Sequence, residues 1–161
     1  METTEFVIDG HRVIVDAEDA HIITSASSCR LVDGWMGRKY VDVYFRRIGY
    51  RPLHRVIMNT PVGLETDHKD GNGLNNSKSN LRIATHRQNA LNSIKHKPAA
   101  SKFKGIYYYP RIKCWCARIR LEGKRKNLGY FKNEIEAAYA YDMASIEHHG
   151  EFGRRNFLPL M

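Results

Sequence analysis

The stretch Glu65-Thr66-Asp67-His68-Lys69-Asp70-Gly71-Asn72-Gly73, followed by Ser79-Asn80-Leu81-Arg82 and then by Arg87-Gln88-Asn89-Ala90-Leu91-Asn92, decides how this chain is read. It sets a carboxylate beside an imidazole on one segment and a carboxamide on the next helix. That is the minimum needed to hold one hard metal ion next to a general base. The unperturbed pKa of His, about 6.5, suits a base that takes a proton from water near neutrality. His68 supplies that base. Asp67 and Asn89 offer oxygen atoms to a divalent cation that would neutralise a leaving 3′ oxygen. Side chains alternate along a strand, so Asp67 and His68 share a site only if the backbone between them bends or bulges. Asn80 is the expected brace of the loop. Taken alone, Asp70-Gly71-Asn72-Gly73 is an ordinary polar turn. It is the register of Asn80 and Asn89 that lifts it above one, while Asn72, Asn75, Asn76 and Asn92 read as turn or surface residues.

These residues resemble an HNH endonuclease of the phage homing type, in which a β-hairpin and a following helix grip one metal ion. The resemblance implies Asp67 as first metal ligand, His68 as general base, Asn80 as the central structural asparagine and Asn89 as second ligand, all four counted as catalytic. An oxygen donor at Asn89, where many relatives have histidine, favours Mg²⁺, with Mn²⁺ as a substitute, over Zn²⁺. His54 and Arg55, in Leu53-His54-Arg55, are accessory candidates that either buttress the site or touch the scissile phosphate; a structural histidine is an equal reading of His54.

Charge is concentrated in the second half. Residues 95–132 hold twelve Lys and Arg against one acid, Glu122, whereas residues 1–94 hold twelve against eleven, so this one block, at 12 − 1 = +11, exceeds the net +9 of the whole chain. Such a block suits a surface that follows a phosphate backbone. It is also patterned. In Trp115-Cys116-Ala117-Arg118-Ile119-Arg120-Leu121 the alternation puts Trp115, Ala117, Ile119 and Leu121 on one face and Cys116, Arg118 and Arg120 on the other. Lys104 to Tyr109 has the same form, Glu122-Gly123-Lys124 turns into a third strand over 125–131, and a helix follows from Asn133, its expected cap, with acids in the first turn.

This half resembles the Apetala-type DNA-binding domain of plant ethylene-response factors, through Lys104-Gly105-Ile106, Trp115 to Arg120, Gly123-Lys124-Arg125, Leu128 to Phe131, Glu136 to Asp142 and the closing His149 to Phe152 and Asn156-Phe157. The resemblance implies a sheet laid in the major groove, with contacts from Lys104, Tyr107, Tyr109, Arg118, Arg120, Arg125, Asn127 and Tyr141. Tyr107, Tyr109 and Asn127 depart from the plant pattern, so the plant target sequence does not transfer. Arg118, Arg120 and Arg125 either read guanine bidentately or hold phosphates.

The amino-terminal region reads as β-rich. Phe6 to Val15 is two runs about an Asp9-Gly10 turn, and Tyr40 to Phe45 is a further strand, expected to extend the nuclease sheet. Arg46, Arg47 and Arg51 are candidates for backbone contact. Cys29, Cys114 and Cys116 lack the paired spacing of a structural zinc site, so none is expected. Neither a transmembrane run nor a signal pattern at the amino terminus is seen, which predicts a cytoplasmic protein, in the host cytoplasm if phage-encoded.

The expected fold class is α+β: a ββα-metal nuclease domain with a β-rich extension over residues 1–94, a linker over 95–101, and a three-stranded antiparallel sheet packed on one helix over 102–161. The expected function is metal-dependent endonuclease action on double-stranded DNA, with no membrane and no obligate protein partner. The alternatives are a DNA-binding regulator with an inactive nuclease half, and an RNA-binding protein whose tyrosines stack on unpaired bases.

Overall fold

The computed structural model describes residues 2–34, 37–94 and 100–157 and shows an α+β chain of small antiparallel sheets divided into two compact units, residues 1–89 and 90–161. Residues 95–99 of the expected linker lie outside the described residues.

The first unit opens with a hairpin, β1 (Thr3–Ile8) and β2 (His11–Asp16), whose two turn residues, Asp9 and Gly10, both have positive φ, 47° and 77°. That backbone matches the twist of paired strands and is why an Asp-Gly pair sits there. A short helix α1 (Ala20–Thr24) leads to β3 (Ser28–Asp33), β4 (Lys39–Phe45) and β5 (Gly49–Pro52), followed by helix α2 (Leu53–Ile57). β3, β4 and β5 form a sheet of their own. The expectation that the strand at Tyr40 to Phe45 extends the nuclease sheet is therefore corrected: among the described residues β6 (Glu65–His68) and β7 (Leu81–Ala84) form a separate two-stranded sheet. The alternating apolar residues of both larger elements meet instead in one core of Ile8, Val13, Val15, Ile23, Val41, Val43, Leu53, Ile57 and Leu81. Helix α3 (His86–Leu91) follows β7 and carries Asn89.

The 70–80 loop between β6 and β7 is fastened to the first hairpin. Ile14 N–H donates to Leu74 O at 2.9 Å, Asn76 N–H to Ile14 O at 2.7 Å, and Lys78 N–H to the buried Asp16 carboxylate at 2.8 Å. Residues 11–16 thus act as a splint for a loop some sixty positions later.

In the second unit β8 (Ile106–Tyr109), β9 (Cys114–Leu121) and β10 (Lys124–Phe131) make an antiparallel sheet in the order β10-β9-β8, packed on helix α4 (Glu134–His149). Asn133 caps α4 by accepting from Ile135 N–H. Ile106, Ala117 and Ile119 pack on Ala137, Ala138, Tyr141 and Ala144, with Trp115 and Leu121 beside them, as the alternation requires. Small residues on α4 bring it close to the sheet. The approach is close at Gly105, where a β-carbon would lie 2.2 Å from the Tyr141 ring and 2.7 Å from Arg118 O. Among the described residues no helix is long and apolar enough to cross a membrane.

Candidate active site and nucleic-acid interface

β6 pairs with β7 one residue to one, Glu65 with Ala84 through His68 with Leu81, without a register shift. The bend expected between Asp67 and His68 is absent, and the two side chains leave opposite faces of the hairpin. A regular ladder is possible because each face supplies a partner set. Asp67 lies opposite Arg82, whose Nε and Nη2 both donate to Asp67 Oδ2, at 2.9 and 2.5 Å, and both side chains are at least nine-tenths buried. On the other face His68 packs against the His54 ring, edge to face at 5.0 Å, and against Tyr40 at 5.8 Å.

Asn76, read as a turn or surface residue, is fully buried and meets His68: its Oδ1 lies 3.4 Å from His68 Nε2, while its Nδ2 donates to Gly73 O. Because Oδ1 can only accept, neutral His68 carries its proton on Nε2 and has its basic lone pair on Nδ1. Burial holds the His68 pKa below the usual histidine value, against the opposing pull of the Asn76 bond and the Asp70 and Asp67 carboxylates, so the ring is neutral at pH 7. His54 is pushed down to about 3, first by burial and then by His68 and Arg55, and its Nδ1 has no hydrogen-bond partner among the described residues. Arg55 donates to Leu64 O at 2.9 Å and ties down the approach to β6.

Asn80 holds the loop from both sides. Its Oδ1 accepts from Asp70 N–H at 3.1 Å and its Nδ2 donates to Asp70 Oδ1 and Asn75 O. Asn92, read as a turn or surface residue, lies in the turn after α3 and is buried. Asn89, half-buried on α3, turns its Nδ2 toward Glu65, whose other oxygen meets His86 Nδ1 at 2.8 Å. The Asn89 and His86 bonds hold the Glu65 carboxyl below its ordinary pKa. Glu65, Arg82, Asn76 and Tyr40 were all missed in the sequence. Period-two spacing from Asp67 was the available sign for Glu65; nothing local pointed to Asn76 or Tyr40.

A profile of the HNH endonuclease family matches residues 51–91, which hold all of these elements from α2 to α3. The chain is also 32% identical over 94 residues to protein 3.8 of Escherichia phage T7, an alignment covering 58% of this chain and 77% of that protein. The chain belongs to the HNH endonuclease family. An uncharacterized HNH endonuclease of Acanthamoeba polyphaga mimivirus is 32% identical over 115 residues, covering 68% of this chain and 59% of that protein. Membership in the HNH family implies a DNA substrate and a divalent metal. Asp67 and the Asn89 carboxamide carry hard oxygen atoms of the kind such an ion takes, and Asn89 directs its Nδ2 at Glu65.

The exposed face of the second unit's sheet divides the predicted DNA contacts. Register sets Arg120 opposite Arg125, Arg118 opposite Asn127, and Cys116 between Tyr107 and Tyr130. The Arg118 guanidinium lies 5.2 Å from the Tyr109 ring centre and 5.9 Å from that of Tyr107. Two expectations, Tyr141 and Lys104, are corrected. Tyr141 is a core residue, 3% exposed. Lys104 points inward, its Nζ donating to Leu91 O and Ser93 O, and burial lowers its pKa to about 8. Asn127 spends its carboxamide oxygen on Gly129 N–H and Cys116 Sγ, closing a β-bulge between Asn127 and Gly129.

Proposed function

We propose that this HNH protein is a Mg²⁺-dependent endonuclease that nicks duplex DNA, the first unit cutting and the basic sheet of the second unit holding the duplex. The observation that carries the reading is that the family match spans Asp67, His68 and Asn89 on one hairpin and its following helix. Asp67 and Asn89 would hold the ion, and a bound divalent cation supplies charge stabilisation to the leaving 3′ oxygen. His68 takes the proton of the attacking water on Nδ1. Asn76 keeps the opposite nitrogen protonated and the ring oriented. On this reading the scissile phosphate lies across the end of β6, which His68 closes. Mn²⁺ is expected to substitute. A single such site breaks one strand per encounter, and homing-type biology is the role that the resemblance suggests.

For DNA holding, the proposed set is Tyr107, Tyr109, Arg118, Arg120 and Arg125, with the exposed Arg46, Arg47 and Arg51 as further phosphate contacts. The three-stranded sheet with its helix supports the Apetala-type reading of residues 102–161, and with it major-groove docking. The test of catalysis is supercoiled plasmid incubated with the protein: relaxed circles with Mg²⁺ and none in excess EDTA are expected. Unchanged supercoils in both, with retained DNA binding, would favour a DNA-binding regulator.

The sheet makes its own prediction. Replacing Arg118 and Arg120 together by alanine should cost about 1–3 kcal/mol of binding per lost base contact and narrow the gap between target and random DNA. If the two arginines hold phosphates only, affinity falls equally on both DNAs and the salt slope shrinks. Affinity unchanged in a gel-shift titration would remove the sheet from DNA binding.

A further inference from the structure

Glu65 is used by no step above, yet it is the residue that touches the second proposed metal ligand. It stands two positions before Asp67 on β6, and therefore on the same face of the strand. Its carboxylate bridges two side chains of α3: Oε2 lies 2.5 Å from Asn89 Nδ2 and Oε1 2.8 Å from His86 Nδ1. His86 is 90% exposed and contributes little. The Asn89 contact is more consequential. A carboxamide has two ends of nearly equal shape and opposite character, an oxygen that binds a cation and an NH₂ that repels it. In water either end can face the ion. A carboxylate only accepts, so it can be met by the NH₂ end alone, and holding that end fixes where the oxygen points.

We infer that Glu65 is a positioning residue that sets the Asn89 amide so that its oxygen, and not its nitrogen, is offered to the divalent cation. The inference rests on Asn89 being a ligand. It explains why an asparagine suffices where an uncharged ligand with two dissimilar ends would otherwise spend half its time reversed. Two carboxylates on one strand face, Glu65 and Asp67, raise the competing possibility that Glu65 binds the ion itself, and the same experiment separates them.

The measurement is Mn²⁺ binding to the full chain without DNA, followed by the loss of the free-ion electron paramagnetic signal. Glu65→Ala is expected to weaken Mn²⁺ binding by about tenfold, as loss of a partner behind a ligand does, while Glu65→Gln, which still accepts from Asn89, loses less than about threefold. Glu65→Met keeps the length without an acceptor and stands in if the alanine variant does not fold. The decisive comparison uses Asn89→Asp, whose two ends are both oxygen and need no orienting. In that background Glu65→Ala should leave Mn²⁺ binding unchanged or tighten it, because a neighbouring carboxylate is removed. An equal loss in both backgrounds would overturn the positioning role and make Glu65 a direct ligand or a structural support. No loss in the Asn89 background overturns it as well. If instead Asn89→Ala binds Mn²⁺ as the wild type does, the ligand assignment of Asn89 falls, independently of Glu65.

Discussion

His68→Ala is expected to lower the nicking rate by about 10²- to 10⁴-fold, the range that a lost general base costs, with DNA affinity unchanged. The separation follows from where the charge lies: the ring is buried among His54, Tyr40 and Asn76, and neutral, so it adds nothing to phosphate attraction. The pH profile gives a second reading. A base works deprotonated, and burial lowers the His68 pKa, so the wild-type rate should fall only as pH drops below the ordinary histidine range. In the variant that acid limb should vanish with the activity. Single-turnover cleavage from pH 5 to 8 checks both, and a rate within about threefold of wild type would remove His68 from the chemistry.

Arg82→Ala should destabilise the first unit by about 3–5 kcal/mol, because it leaves Asp67 as a buried carboxylate without its guanidinium. Removing both charges is a different matter. The pair Asp67→Asn with Arg82→Met keeps the volume and takes no ion out of water, so it should recover most of that loss, with nicking expected to be lost. Urea unfolding of the two variants and the wild type measures the difference. A cost below about 1 kcal/mol for Arg82→Ala would show that the pair is open to solvent.

What was legible in the sequence was whatever depends on near neighbours. Asp9-Gly10 named its own hairpin, the alternation from Trp115 to Leu121 named the two faces of its strand, and Asn133 named the start of the last helix. Asn80 was legible as a loop brace because an asparagine ten residues after a turn has backbone to bind. What failed depended on distant approach. Tyr141 and Lys104 were assigned to DNA by resemblance, but the close pass of Gly105 seals the tyrosine under the sheet, and two carbonyls at Leu91 and Ser93 claim the lysine. Asn76 looked like one more polar turn residue until the first hairpin turned it inward. The Asp67–Arg82 pair was hidden for the same reason: it exists only through cross-strand register, which no single segment carries.

The splint between Ile14 and the 74–76 segment fixes when, in the life of each molecule, cutting becomes possible. Hydrogen bonds between positions some sixty residues apart form only after a long loop has closed, and that closure is slow compared with making a local hairpin. The 70–80 loop, and with it the burial of Asn76, waits on that closure. During refolding, His68 is expected to gain its Asn76 partner only once the Ile14 bonds to the 74–76 segment have formed, which pulse-labelled hydrogen exchange at Ile14 and Asn76 checks.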